Sequence, residues 1–158
     1  MNGKYEAAAI AVKNAEKALE TLKDFADIQY KAKGETMREQ IADYIANVLA
    51  DAQYIRGCSC MYHNLSLSRS NDGYIFYVEE SPYLSFRTPI FSINTSGQIQ
   101  YLRELKEETM LIIAHYWDGF KDQLDFSIKV ALEERTKSIN KKIAHIAYVN
   151  EQLSKWKV

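Results

Sequence analysis

The chain has 158 residues, with 20 basic and 21 acidic side chains and a formal net charge of −1. One domain with a substantial core suits this length, and the balanced charge excludes a global field that would draw the protein onto nucleic acid or an anionic membrane. The N-terminus lacks the apolar run of a signal peptide, and no window approaches the ~20 apolar residues of a membrane span. We therefore expect a cytoplasmic protein.

The N-terminal part, residues 1–57, has the periodicity of two helices. Apolar side chains recur at spacings of three and four from Tyr5 to Ile28 and again from Met37 to Ile55. Between these two runs, Gly34 is typical of a helix end, because glycine readily adopts the left-handed conformation that stops a helix. The pattern predicts an N-terminal helical hairpin.

The middle part, residues 58–98, alternates between apolar and polar side chains as strands do. A strand beginning near Met61 is followed by a turn at 70–73 and a partner strand over 74–79. Two further short strands lie on either side of Pro89, where pairing is restricted. We predict a small antiparallel sheet of three to four strands, after which Asn94-Thr95-Ser96-Gly97 either turns a last hairpin or caps a helix.

The last part, residues 99–158, returns to helical spacing. One predicted helix begins near Tyr101, a break or kink is expected at Asp118-Gly119, and a long helix with one apolar stripe runs from Phe120 to the C-terminus. A helix of that length extends ~55 Å and needs other long helices beside it.

The whole chain is thus predicted to be a single α+β domain, residues 1–158. Its parts are an N-terminal helical hairpin, a small antiparallel sheet and two C-terminal helices of which the last is long. We expect the helices to bundle together.

The two cysteines and a nearby histidine are candidate metal ligands. Cys58, Cys60 and His63 include the ligand types that zinc prefers, but structural zinc sites place at least two residues between paired cysteines. Two cysteines are also too few for a disulfide scaffold. We therefore predict free thiols and no metal site.

Catalytic signatures are weak. Asp118, Asp122 and Asp125 share a helix face, which suggests a metal-dependent hydrolase, yet acidic side chains near a helix start also complement the helix dipole. There is no nucleophile elbow and no glycine-rich phosphate loop. We predict a protein that is not an enzyme and uses no cofactor.

The open face of the predicted sheet is the strongest candidate binding surface. If Met61, Leu65 and Leu67 face the helices, tyrosine and arginine side chains lie on the opposite face, and these residue types often anchor recognition surfaces. Two lysines of the basic last helix are further candidate binding residues, although a run of charged residues is commonly only a solvated helix face. The predicted binding residues are Tyr62, Asn64, Tyr77, Tyr83, Arg87, Lys137 and Lys141.

The leading hypothesis is a non-enzymatic protein-interaction module whose partner is another protein. Phages and mobile elements encode small proteins of this character to inhibit a host machine such as a nuclease. The long stripes also suit a homodimer. The alternative hypothesis is a nucleic-acid-binding accessory protein, in which sheet tyrosines stack on bases and the basic last helix contacts phosphates.

Overall fold

The computed structural model describes residues 3–51, 58–80 and 87–156, and its architecture is α+β. These residues form two long helices and a five-stranded antiparallel sheet. The elements in chain order are helix α1 (Glu6–Asp51), strands β1 (Cys60–Tyr62), β2 (Leu65–Ser70), β3 (Gly73–Glu79), β4 (Arg87–Asn94) and β5 (Ile99–Tyr101), and helix α2 (Glu107–Ser154).

The sheet is a meander in which every strand pairs with its neighbour in sequence. It has five strands in the described part of the chain, where the sequence predicted three to four. The additional turn lies at His63-Asn64, which the alternating pattern placed inside one strand. His63 has φ 51°, and the Asn64 side-chain amide donates to the Glu79 carbonyl oxygen at 2.7 Å. Histidine and asparagine tolerate the left-handed region better than most residues, so this pair can form a tight turn.

The same turn exchanges the two faces of β1. Tyr62 is the partner of Leu65 and lies on the side of the sheet that faces the helices, whereas Met61 is the partner of Ser66 and is 69% exposed. The sequence prediction placed Met61 inward and Tyr62 outward. That assignment was wrong because a shift of one residue in register moves every side chain of a strand to the opposite face.

Strand β4 continues through Pro89, where an interruption was predicted. Phe76 pairs with Phe91 and Tyr77 pairs with Pro89, so β4 contains one extra residue at this point. Such a bulge accommodates a proline, which has no N–H to give to the ladder. The predicted strand residues 83–86 lie outside the described part of the chain.

Two predicted turns are present in the sheet. Residues 71 and 72 join β2 to β3, as expected from the Asn-Asp-Gly sequence. In the last hairpin, the Asn94 carboxamide oxygen accepts hydrogen bonds from the N–H groups of Ser96 and Gln98 at 3.0 and 2.8 Å. The segment 94–97 is therefore a hairpin turn between β4 and β5, and not a helix cap.

Helix α1 is continuous through Gly34, so the predicted helical hairpin was wrong for the described residues. Gly34 is buried, and a Cβ atom on it would lie 3.2 Å from the Leu105 carbonyl oxygen and 3.4 Å from the Met110 sulfur. This glycine permits a close approach by the start of α2 instead of ending a helix. The predicted end of the hairpin, residues 52–57, lies outside the described residues.

Helix α2 is likewise continuous where a break was predicted, at Asp118-Gly119. A Cβ atom on Gly119 would overlap the ring of Tyr62, so this glycine makes room for a side chain of β1. The helix begins at Glu107, because Tyr101 belongs to β5. The two predicted C-terminal helices are therefore one helix of 48 residues.

The helices meet each other over their middle parts. Gly34 lies beside Met110, and ten residues later the ring centroid of Tyr44 lies 5.5 Å from that of Trp117. From the first contact to the second, the residue numbers increase along both helices, so the helices run parallel where they meet. Helix α2 packs on β1, β2 and β3, and α1 packs on β4.

Both helices extend beyond the sheet, in opposite directions. A strand of 8 residues spans ~26 Å, whereas helices of 46 and 48 residues extend ~70 Å. The sheet is too small to cover either helix along its length. The helices therefore bundle only where they cross the sheet, and not throughout as the sequence predicted.

A row of aromatic rings joins the sheet to the helices in the core. Phe91 stacks on Phe76 with ring centroids 5.1 Å apart, and Phe76 meets Phe120 edge to face at 5.6 Å. Trp117 stacks on Phe120 at 5.7 Å and contacts Tyr44 of α1. Since a buried ring of this size contributes ~2–3 kcal/mol, this row is a main source of stability.

Candidate interaction surface

Each long helix has one part outside the packed centre of the molecule. We call residues 6–33 of α1 the N-arm, residues 133–154 of α2 the C-arm, and the described residues from 34 to 132 the body. Nearly all side chains of both arms are exposed. The large apolar side chains exposed on or beside the arms are Tyr5, Ile10, Val12, Leu19, Leu22, Phe25, Ile28, Tyr30, Ile139, Ile143, Ile146, Tyr148, Leu153 and Trp156.

The N-arm carries an apolar line with a seven-residue repeat. A repeat of this kind is the sequence pattern of a coiled-coil seam, in which two helices interdigitate their side chains. Several members are alanines, which allow another helix to approach closely. We call this line the N-arm seam; it contains Tyr5, Ala8, Val12, Ala15, Leu19, Leu22 and Ala26.

The apolar stripe of α2 passes from the body into the C-arm. Within the body, Phe120 and Leu124 have no exposed surface and Ile128 is 8% exposed. Farther along the stripe, Ile139 is 41% and Ile143 is 59% exposed. The long striped helix that the sequence predicted is present, but only its first half is covered by described residues. We call the outer half the C-arm stripe; it contains Ile139, Ile143, Ile146 and Leu153.

A groove of about 590 Å³ separates α1 from α2 in the body. The rings of Tyr44 and Trp117 line it, and the Lys121 ammonium lies 3.4 Å from the Asp118 carboxylate and 5.7 Å from the centroid of the Tyr44 ring. The volume lies in the range of ligand-binding clefts, ~300–1,000 Å³. Sequence reasoning missed this groove, because it depends on how closely two helices approach each other.

The N-arm seam leads into this groove. Counting in sevens from Ala26 reaches Lys33 and Gln40, and counting in sevens from Leu22 reaches Thr36. All three residues line the groove. Positions seven apart lie on the same side of a helix, so the seam and the groove face the same direction.

The C-arm stripe has the same relation to the groove on α2. Asp118 lines the groove, and Ile139 and Ile146 follow it at multiples of seven residues. The groove therefore joins two exposed apolar lines, one from each arm, that leave the body at opposite ends.

Two predicted binding residues have structural roles in the turn between β1 and β2. Tyr62 is half-buried against Gly119, with its ring centroid 6.2 Å from that of Tyr116. Asn64 binds Glu79 twice, through its side-chain amide and through its carbonyl oxygen, which accepts the Glu79 N–H at 2.8 Å. These two residues hold the sheet together at the point where it meets α2.

The structure brings together Tyr77 and Arg87 among the other predicted residues. Both lie on the side of the sheet away from the helices, and the guanidinium is 5.4 Å from the tyrosine ring centroid. Lys137 and Lys141 are exposed on the C-arm, beyond the part of α2 that packs on the sheet. Tyr83 lies outside the described residues. The six predicted residues in the described part of the chain therefore do not form one continuous site.

The cysteines are free and buried. Burial raises the pKa of the Cys58 thiol, and burial together with the neighbouring Cys58 raises the pKa of Cys60 to about 11. His63 is exposed and stacks on Tyr116 with ring centroids 4.6 Å apart. Within residues 3–51, 58–80 and 87–156, no group of three or more metal-ligating side chains occurs. Protonated thiols are poor nucleophiles and poor metal ligands, so the geometry gives these cysteines a packing role.

The carboxylates of the hydrolase hypothesis are exposed on α2. Asp118 pairs with Lys121, and Asp125 pairs with Lys129 at 2.8 Å, a hydrogen bond that raises the pKa of the lysine. Ion pairs along one helix are typical of a solvated helix surface.

None of the described helices combines the length and apolarity that crossing a membrane requires. Comparison of the chain with protein-family models, with curated proteins and with solved structures gave no match. The fold and the surface define an α+β protein in which two helical arms extend from a small body.

Proposed function

We propose that the protein is a non-enzymatic interaction module that binds another protein through the N-arm seam, the C-arm stripe and the groove between them. The observation that supports this proposal is the continuous exposure of both apolar lines. Large exposed apolar patches mark surfaces that other macromolecules cover, and helices often bind partners through residues spaced three, four and seven apart. Most of the stability of a helix in a protein comes from packing of its apolar face, so a partner that covers the arms would also stabilise them as helices.

The test is capture of partners from source-cell extract with matched pairs of variants. Leu22→Glu places a charge in the N-arm seam, and Thr21→Glu places the same charge about 100° round the helix, outside the seam. Ile143→Glu and Ala144→Glu form the equivalent pair on the C-arm.

We expect the wild type, Thr21→Glu and Ala144→Glu to enrich the same protein, and Leu22→Glu or Ile143→Glu to reduce its recovery at least tenfold. Quantitative mass spectrometry measures the enrichment. Equal recovery by all five chains, or no enriched protein, would contradict the proposal.

The finer hypothesis, an inhibitor encoded by a phage or mobile element that binds a host nuclease, stays a prediction. It is tested on the captured partner: purified protein added at increasing concentration should reduce that enzyme's activity, and Leu22→Glu should not.

The nucleic-acid alternative also stays a prediction, and its candidate surfaces are the Tyr77–Arg87 pair on the sheet and the basic C-arm with Lys137 and Lys141. Titration of a labelled single-stranded oligonucleotide at several salt concentrations tests it. Phosphate contacts would produce a steep loss of affinity with salt, whereas the absence of binding even at low salt would remove this alternative.

A further inference from the structure

We propose that the groove between α1 and α2 is a binding site for a linear alkyl carboxylate, a molecule with the chemistry of a fatty acid. This inference goes beyond the proposed function, because it concerns a small molecule and needs no partner protein. It follows from the shape of the groove, from the apolar residues at its base and from the charged residues that line it.

The groove is elongated along the two helices. It extends over residues 32–44 of α1 and 113–121 of α2, which is ~18 Å along the first helix and ~12 Å along the second. The helices run parallel where they form it, with Tyr44 beside Trp117. A space of this length and of about 590 Å³ suits a linear ligand better than a compact one.

The base of the groove is apolar. Ile41 and Ile113 belong to the core and come from facing helices, and Met37 is half-buried beside them. The exposed side chains of Ala32 and Ala114 leave room above this base. A chain of methylene groups laid along it would leave water and cover apolar protein surface, which is the main driving force for binding such a chain.

A cation is held in place at one end of the groove. The Lys121 ammonium is 5.7 Å from the ring centroid of Tyr44 and 5.9 Å from that of Trp117, where both rings attract a positive charge. Its ion-pair partner is more loosely placed, since the side chain of Asp118 is 96% exposed and that of Lys121 is 35% exposed. Exposed ion pairs contribute little stability, so Asp118 can turn into solvent while Lys121 stays against the rings. A ligand carboxylate can then take the place of Asp118.

The charge of the lining also favours an anion. Among the described residues that line the groove, the charged ones are Lys33, Asp118 and Lys121, two lysines and one aspartate, which gives a net charge of +1. Lys33 lies towards the opposite end from Lys121 and is exposed. Since Lys121 is the lysine that the rings position, the carboxylate belongs beside it, and the alkyl chain runs along the base towards Lys33.

Tryptophan fluorescence of the purified full chain tests the site and the direction of the ligand. Dodecanoate that carries bromine on the carbon beside its carboxylate should quench Trp117 in a Trp156→Phe variant, because bromine quenches an indole ring on contact. The same acid brominated at its far end should quench Trp117 less. In a Trp117→Phe variant, Trp156 reports from the end of the C-arm and should not be quenched.

Matched variants test the residues by calorimetric titration with dodecanoate. Lys121→Met keeps the apolar stem and removes the charge, so it should weaken affinity about fivefold or more. Lys129→Met breaks an ion pair of α2 outside the groove and should leave affinity unchanged. Ala114→Phe fills the groove and should abolish binding, whereas Ala144→Phe on the C-arm should not.

Dodecylammonium separates the contribution of charge from that of apolar contact, because it has the same chain with the opposite charge. We expect it to bind about tenfold more weakly than dodecanoate. Equal affinity for the two, or full binding by Ala114→Phe, would overturn the proposal. Absence of dodecanoate binding at every concentration below micelle formation would also overturn it, and the proposed function would stand or fall separately on partner capture through the arms.

Discussion

The body and the C-arm contain the same apolar stripe of α2 in two environments. Phe120 and Leu124 are fully buried by the sheet, whereas Ile143 and Ile146 are 59% and 58% exposed. The spacing of apolar residues does not change between them; only the presence of a neighbouring element does. Periodicity therefore identifies the apolar face of a helix, and it does not say whether another element covers that face.

In the isolated chain, the body supplies most of the stability. Among the described residues, the buried side chains, the close approaches at glycines and the hydrogen bonds between residues distant in sequence lie there, whereas the arms contribute local helix formation. Substitutions should therefore be costly in the body and nearly neutral on an exposed helix surface.

The largest expected effect comes from the aromatic core. Phe120→Ala should lower the free energy of unfolding by about 3–5 kcal/mol, because it leaves a cavity beside Phe76 and Trp117. Phe126→Ala is the matched control, since Phe126 is 61% exposed on the same helix, and it should cost under about 0.5 kcal/mol. Chemical denaturation measures both. Equal costs would abolish the distinction between buried and exposed positions.

Gly119 provides the next largest effect. Gly119→Ala should destabilise the protein by about 1–3 kcal/mol, because the new methyl group displaces the Tyr62 ring. In a Tyr62→Ala background the same change should stabilise it by about 1 kcal/mol, because alanine is the better helix former. A double-mutant cycle of thermal unfolding tests the reversal of sign. The same sign in both backgrounds would show that the tyrosine is not the reason for the glycine.

A smaller effect is expected where α2 begins. The buried Thr109 hydroxyl donates to a Glu80 carboxylate oxygen at 2.8 Å, so Thr109→Val should cost about 1–2 kcal/mol. On the helix beyond the sheet, the exposed Thr136 hydroxyl donates to the Leu132 carbonyl oxygen, and Thr136→Val should change stability by under about 0.5 kcal/mol. Urea titrations of the two variants measure the difference. A larger cost at Thr136 would reverse the expected order.

The smallest effect is a dependence on pH. Burial raises the pKa of Cys60 from 9.0 to about 11, so the folded state retains a proton that the unfolded state loses above pH 9. The stability that this thiol contributes is fully present below pH 9 and is lost as the pH rises from 9 to 11. The loss reaches about 1 kcal/mol of unfolding free energy at pH 10. Cys60→Ala should reduce the slope of unfolding free energy against pH in this window. An unchanged slope would contradict a buried, protonated thiol.

The sequence was most informative where one local rule acts alone. Alternation predicted antiparallel strands, Asn71-Asp72 predicted a turn, and the spacing from Phe120 onward predicted a long striped helix. Each of these signals arises from neighbours in sequence, so no knowledge of the rest of the fold was needed.

The glycines and the candidate site needed information from distant residues. The sequence predicted a helix end at Gly34 and a break or kink at Gly119, because glycine favours both, but the neighbours of these glycines are Leu105 and Tyr62, far away in sequence. The groove likewise arises from two helices more than sixty residues apart. The pair His63-Asn64 is only a weak turn signal in the sequence, although His63 adopts φ 51° in the structure. The turn that places Tyr62 on the inner face was therefore not predicted.

The meander has a consequence for synthesis of the chain. Each strand pairs with the strand next to it in sequence, so the sheet can assemble as a series of hairpins while translation continues. Helix α1, in contrast, is synthesised before β4 and α2, so Ile41 and Ile45 are without these neighbours until the later elements emerge. During that interval the buried face of α1 has no β4 or α2 to pack against, so the last element to be made completes the core.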